Sequence, residues 1–358
     1  MSGGSIGRGF QPQNGQFADS PIVRISGGTV GRGFSAFTDD FELSGGEFQL
    51  NGADYSGATI DTSFGDVFTG TLSDGSAFIF AAGDSIGNLT LNRTALPDID
   101  TAPIIVNAST PNGPTSLRSG QTLTLEQGGV IDHEFEAVRA VININGGSFA
   151  GVTAFSNTTV NLSDGSIAAN AQAFAGSVFN VDGGTIGDQF SANEGSVVNI
   201  TDGAIGDSFT ATGSEVFISG GSFGERFDSN QSTVKISGGT FGRRFQVGSN
   251  TELSGGEFKL NGVDYDEATI RLNSLSLDVF SGTLSDGSPF IIAGRHFDEL
   301  LNVQLNRTAL PVIDTTPIVV DSSTPVIPIG IRAGQTLTLE EGGVIDGTFE
   351  AVGGVINI

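Results

Sequence analysis

"VFISGGSFGERFDSNQSTVKISGGTFGRRF", residues 216–245, states one pattern twice. Ser219-Gly220-Gly221-Ser222-Phe223-Gly224 returns eighteen residues later as Ser237-Gly238-Gly239-Thr240-Phe241-Gly242, and a further Phe follows each copy, Phe227 and then Phe245. Aligning the Gly-Gly turns extends the pattern into columns. Leu162, Val181, Ile200, Ile218, Ile236 and Leu253 form one, and Val160, Phe179, Val198, Val216 and Val234 stand two residues before it. Ile167, Ile186, Ile205, Phe223, Phe241 and Phe258 follow it, and beyond them come Phe174, Phe190, Phe209, Phe227 and Phe245. The same columns run back through Leu123, Leu125 and Val130, then Ile142, Ile144 and Phe149. They recur near the start as Val23, Ile25, Val30 and Phe34, and as Phe41, Leu43 and Phe48.

Within a coil the V-x-I step alternates at period two, the mark of a strand with one buried face, and no helical period is sustained. A rung of eighteen or nineteen residues holds three short strands and three turns, each coil hydrogen-bonding to the next at the ~4.8 Å spacing of neighbouring strands. One such coil cannot bury its own apolar side, so stability comes from stacking. The fold expected is all-β, a right-handed parallel β-helix (β-solenoid). The inward positions are unequally spaced, unlike a hexapeptide solenoid, and parallel crossovers are overwhelmingly right-handed. Wound throughout, 358 residues would make a rod ~90 Å long.

Composition agrees. Apolar residues make up 37% of the chain, with 27 Phe, 54 Gly and no Cys. That suits a continuous core with many turns and excludes disulfides and thiolate metal sites. The 40 acids against 15 bases give a net charge of −25, which repels phosphate backbones and anionic lipid, so nucleic acid is not an expected partner. No apolar run is long enough for a membrane span, so no membrane insertion is expected.

A longer period lies above the coils. "ELSGGEFQLNGADY" (42–55) returns as "ELSGGEFKLNGVDY" (252–265), "DVFTGTLSDGSAFI" (66–79) as "DVFSGTLSDGSPFI" (278–291), and "GQTLTLEQGGVID" (120–132) as "GQTLTLEEGGVID" (334–346). The organisation expected is one continuous solenoid over 1–358. Its regular coils lie at 1–52, 121–258 and 334–358. A less regular segment with longer, Pro-bearing loops lies at 53–120, and its second copy at 259–333; each reads either as looser coils of the same helix or as a side excursion. The opening "MSGGSIG" and closing "VINI" both resemble pieces of internal rungs. This raises the expectation of a fragment of a longer repeat protein, uncapped at both ends and able to pair head to tail with itself.

The rung and the long unit "LSGGEFxLNG…DVFxGTLSDGSxFI…LNRTALP…GQTLTLEQGGVID" resemble the repeats of giant secreted proteins of planctomycete-type marine bacteria. The resemblance covers essentially the whole chain and implies an extracellular or cell-surface location and a pectate-lyase-like β-helix. It brings no catalytic residues to carry over.

Candidate chemistry is sparse. One outward column reads Asp188, Asp207, Glu225, Arg243. Acids on successive rungs would lie about 5 Å apart, close enough to share a cation such as calcium. The simpler reading is a solvated face in which Glu225 pairs with Arg243 and Arg244. His133 and His296 have no Ser or Cys partner pattern and read as surface residues. Asp74 and Asp286, in "LSDGS", read as turn residues. Asn143, Asn161, Asn180 and Asn199 form an outward column whose amides can bond rung to rung. With only two Tyr (Tyr55 and Tyr265) and no Trp, platforms for sugars are few. The function expected is therefore non-enzymatic and without cofactor: a structural repeat region, as stalk, adhesin or coat element, prone to end-to-end self-association. The alternative is a β-helix that binds or degrades extracellular polysaccharide.

Overall fold

The computed structural model describes residues 2–6, 23–30, 35–36, 41–63, 66–80, 85–110, 113–324, 330–345 and 349–358. Phe34 and the side chain of Val30 lie outside the described residues. The chain is all-β, a β-solenoid of stacked parallel coils. It divides into two compact units, Met1–Asn180 and Val181–Ile358.

In the first unit, Ile104–Val106, Thr122–Leu125 and the start of Val141–Phe155 are parallel neighbours, with Ile104 beside Leu123 and Leu123 beside Ile142. A second line of parallel pairs puts Leu117 beside Ala137 and Thr153 beside Gln172. In the second unit Val198, Val216 and Val234 stand in register, as do Ile200, Ile218, Ile236 and Leu253. Phe209, Phe227 and Phe245 form another in-register column. Parallel pairing places like residues over like, so the apolar columns become continuous stacks. Phe227 is fully buried, its ring centroid 4.9 Å from that of Phe209 and 5.1 Å from that of Phe245. Phe223 and Phe241 stack 5.0 Å apart on the adjoining side.

One column needs adjustment. Val130 is half exposed and Ile131 takes the inward place, because Ile131 pairs with Phe149 while Val130 lies beside Ser148.

Part of each irregular segment takes the second of its two readings. Residues 53–63 with 66–80, and residues 263–293, are not looser coils but antiparallel excursions. In the first unit the strand Phe68–Leu72 runs antiparallel to Phe41–Leu50, and Ala77–Phe80 antiparallel to Phe68–Leu72. Leu89–Arg93 then returns parallel to Phe41–Leu50, with Leu91 beside Leu43. The second unit repeats this: Val279–Leu284 lies antiparallel to Thr251–Leu260, Pro289–Ala293 antiparallel to Val279–Leu284, and Leu305 returns beside Leu253. The cause is hairpin turn chemistry. In "LSDGS" the Asp-Gly pair supplies a tight reversal, with Gly75 and Gly287 at φ +94° and +96° and Leu72 N–H bonded to Ser76 O at 2.8 Å. Each excursion has its own Phe cluster, Phe48–Phe68–Phe78 and Phe258–Phe280–Phe290.

Emptying a Phe stack should be the costliest surface-to-core contrast available. Phe227→Ala is expected to lower stability by ~3–5 kcal/mol, and Glu225→Ala, at an exposed corner, by less than about 1 kcal/mol. Chemical denaturation of the two variants checks this, and equal losses would remove Phe227 from the core.

Candidate functional site

Two kinds of polar arrangement stand on the coils, and the first is structural. At one corner of the second unit, Gln189, Ser208, Arg226 and Arg244 all adopt left-handed backbone, φ 65° to 68°. The residue before each supplies the column seen in the sequence. Asp188 accepts the Asp207 N–H at 2.9 Å, and Asp207 accepts the Glu225 N–H at 2.7 Å. These carboxylates thus satisfy turn amides of the following coil. Among the described residues no ion pair joins Glu225 to Arg243 or Arg244, which corrects the pairing expected from sequence. No group of three or more His, Asp or Glu among the described residues is placed to hold one metal ion.

Asp74 and Asp286 do more than turn the chain. Asp286 accepts the Ser288 N–H within its own hairpin at 2.8 Å and the N–H of Gly239, on a coil, at 3.0 Å. Asp74 does the same with Ser76 (2.9 Å) and Gly28 (2.7 Å). This explains one Gly-Gly corner. Gly239 has φ +96°, and a Cβ on Gly238 would lie 2.4 Å from the Asp286 carboxylate. Arg93 and Arg307 secure the excursions from the other side. Each donates to the carbonyl of Tyr55 or Tyr265 and lies over the Phe48 or Phe258 ring, 5.3 and 5.5 Å from its centroid. The two Tyr hydroxyls donate to Thr59 O and Thr269 O, so both rings serve the excursions. The amide ladder is present in the first unit, where Asn161 donates to Asn143 at 2.9 Å and Asn180 to Asn161 at 2.8 Å. His133 is partly exposed beside Asp132.

The second arrangement is a cleft of about 790 Å³ in the second unit. One wall is the corner column at Asp207, Glu225 and Arg243; opposite stand the hairpin strand Pro289–Ala293, the 3₁₀ turn Gly294–His296 and the strand Glu350–Val352. His296 therefore lines a concavity rather than an open face. Asp298 is buried, and its two oxygens accept the N–H groups of Phe245 (2.9 Å) and Ala293 (2.8 Å), which fixes the end of the hairpin. Glu350 is only 9% exposed, and among the described residues its buried Oε2 has no hydrogen-bond partner. Burial pushes its carboxyl up to about 8; the nearby Asp298 charge adds to the rise, and a hydrogen bond from the Ile291 backbone opposes it. At neutral pH the cleft thus holds a largely protonated carboxyl among ionisable neighbours, an environment that can donate or release a proton.

Of the residues singled out in the sequence, Asp207, Glu225, Arg243 and His296 come together here, while Asp188 is not among the lining residues. Asp298 and Glu350 were not legible as site residues. Glu350 repeats Glu136 in the copied "FEAV", so the sequence offers nothing to separate them. Only the surroundings do: Phe135 is fully buried, whereas Phe349 is half-buried at the cleft. The fold defines a β-solenoid repeat protein. Comparison with protein-family models, curated proteins and solved structures finds no match for the chain.

The raised Glu350 carboxyl has a consequence for stability. The unfolded chain loses this proton near 4.5, the folded chain near 8. The stabilisation is therefore complete below pH 4.5 and is lost as pH rises through about 8, at a total cost of roughly 3–5 kcal/mol. Glu350→Gln keeps the shape and neutrality of the protonated form. Denaturation at pH 5 and pH 8.5 should show a smaller fall in stability for the variant than for the parent, and identical falls would contradict the buried, proton-bearing state.

Proposed function

We propose that this chain is a non-enzymatic, architectural repeat region of a large extracellular or cell-surface protein, of the stalk, adhesin or coat type. The observation that carries the reading is the use made of its polar groups. Asp188, Asp207, Asp74, Asp286, Arg93, Arg307 and the Asn143–Asn161–Asn180 ladder are all spent on joining coil to coil or excursion to coil. Repetition suits a mechanical role, because each rung is stabilised by its neighbours and contributes to theirs. The likeness of the long unit to repeats of giant secreted proteins of planctomycete-type bacteria supports the extracellular location and the pectate-lyase-like, right-handed form of the helix.

The proposal includes head-to-tail self-association between copies of the chain. The parallel strand pairing that joins coil to coil within the chain would serve equally to join coils of two copies. The net charge of −25 opposes association at low salt, and screening relieves it. Light scattering with electron microscopy at low and moderate ionic strength should show oligomers or fibres that grow with salt. A monomer under all these conditions would overturn the self-association.

A further inference from the structure

We propose that the cleft of the second unit binds an aliphatic polyamine, with one ammonium group on the Glu350 carboxyl and the methylene chain along the apolar wall. Three observations converge on this class of ligand. The first is an unmet need: among the described residues Glu350 Oε2 faces no donor although the residue is more than nine-tenths buried, while the Ile291 amide bonds the carboxyl. A buried carboxylate oxygen without a donor is costly, so the carboxyl keeps its proton until a cation replaces it, and an ammonium brings three N–H donors to a point. The second is charge. The described ionisable groups facing the cleft are Asp207, Glu225, Asp298 and Glu350 against Arg243 and His296. An anion would meet this excess of carboxylates, and a neutral sugar would desolvate them without compensation. A cation neutralises them, and the absence of a three-ligand metal group among the described residues disfavours a metal ion. The third is shape and lining. About 790 Å³ is far more than one ammonium fills, and Phe223, Phe241, Phe349 and Ile291 line the cleft along with the acids. Phe241 and Phe349 are half-buried and Ile291 is 37% exposed, so apolar surface remains for methylene groups. Aromatic faces also attract ammonium groups. Charges joined by short alkyl chains suit a cleft lined by both acids and apolar side chains.

Binding is coupled to a proton. An ammonium favours the ionised carboxyl, so at neutral pH Glu350 gives up its proton to solvent as the amine seats. Calorimetric titration of the full chain with spermidine at pH 7.0, in two buffers of different ionisation enthalpy, tests this. One saturable site with release of close to one proton is expected. Glu350→Gln should weaken binding at least tenfold and abolish the proton release. Glu225→Gln, at an exposed corner whose loss leaves the fold intact, should weaken binding severalfold and leave the release in place. Hexaamminecobalt(III), a trivalent cation with N–H donors and no alkyl chain, should bind more weakly than spermidine and without dependence on Glu350. Equal affinity for the parent and Glu350→Gln would overturn the proposal. So would equal binding of the cobalt complex with the same Glu350 dependence, or preferential binding of cellobiose or calcium.

Discussion

The constraint on which everything else depends is the parallel backbone ladder between successive coils. It holds neighbouring strands at one spacing and in one register, so the residue at a given place in one coil must tolerate the residue at that place in the next. From this follow the Phe209–Phe227–Phe245 stack, the Val and Ile columns beside it, and the amide ladder on the outer face. The ladder also creates the need that the corner carboxylates meet. A turn that passes through left-handed backbone leaves an amide pointing along the stack, and Asp188 and Asp207 lie there to accept it.

The excursions use the same ladder and then interrupt it. Leu43 and Leu253 each wait for a partner that arrives only after a complete antiparallel hairpin has been inserted, Leu91 in one case and Leu305 in the other. The hairpin is tied down by Asp74 or Asp286 bonding across to a Gly-Gly corner. The second hairpin, at Pro289–Ala293 and the turn that follows, also forms one side of the cleft around Glu350. A device that lengthens the repeat thus also supplies a concave surface, larger than the concavity of about 210 Å³ that the plain coils form at Asn199, Phe217 and Lys235.

The coils were readable in the sequence because their signal is redundant: a buried position such as Ile218 is announced by Ile200 and Ile236 at the same offset. Val130 misled for the same reason, since the alignment of the columns passes over a shift that only the pairing of Ile131 with Phe149 reveals. The excursions were legible as a repeated unit but not as hairpins, because "TGTLSDGSAFIF" alternates as a coil strand would, and its Asp-Gly turn resembles the Asp-Gly corners of ordinary rungs. Asp207 and Glu225 were visible as a column, whereas Asp298 and Glu350 were not. Their character comes from burial against residues distant in sequence, Phe245, Ile291 and Ala293, and no local motif carries that information.

The fold rests on like residues lying over like in adjacent coils. The most direct measurement is through-space magnetisation transfer between Phe rings in a selectively labelled sample, with Phe→Leu variants for assignment. Ring contacts between Phe209 and Phe227 and between Phe227 and Phe245 are predicted, from centroid separations of 4.9 and 5.1 Å. The absence of both, in a folded sample, would contradict the stacked register and the fold built on it.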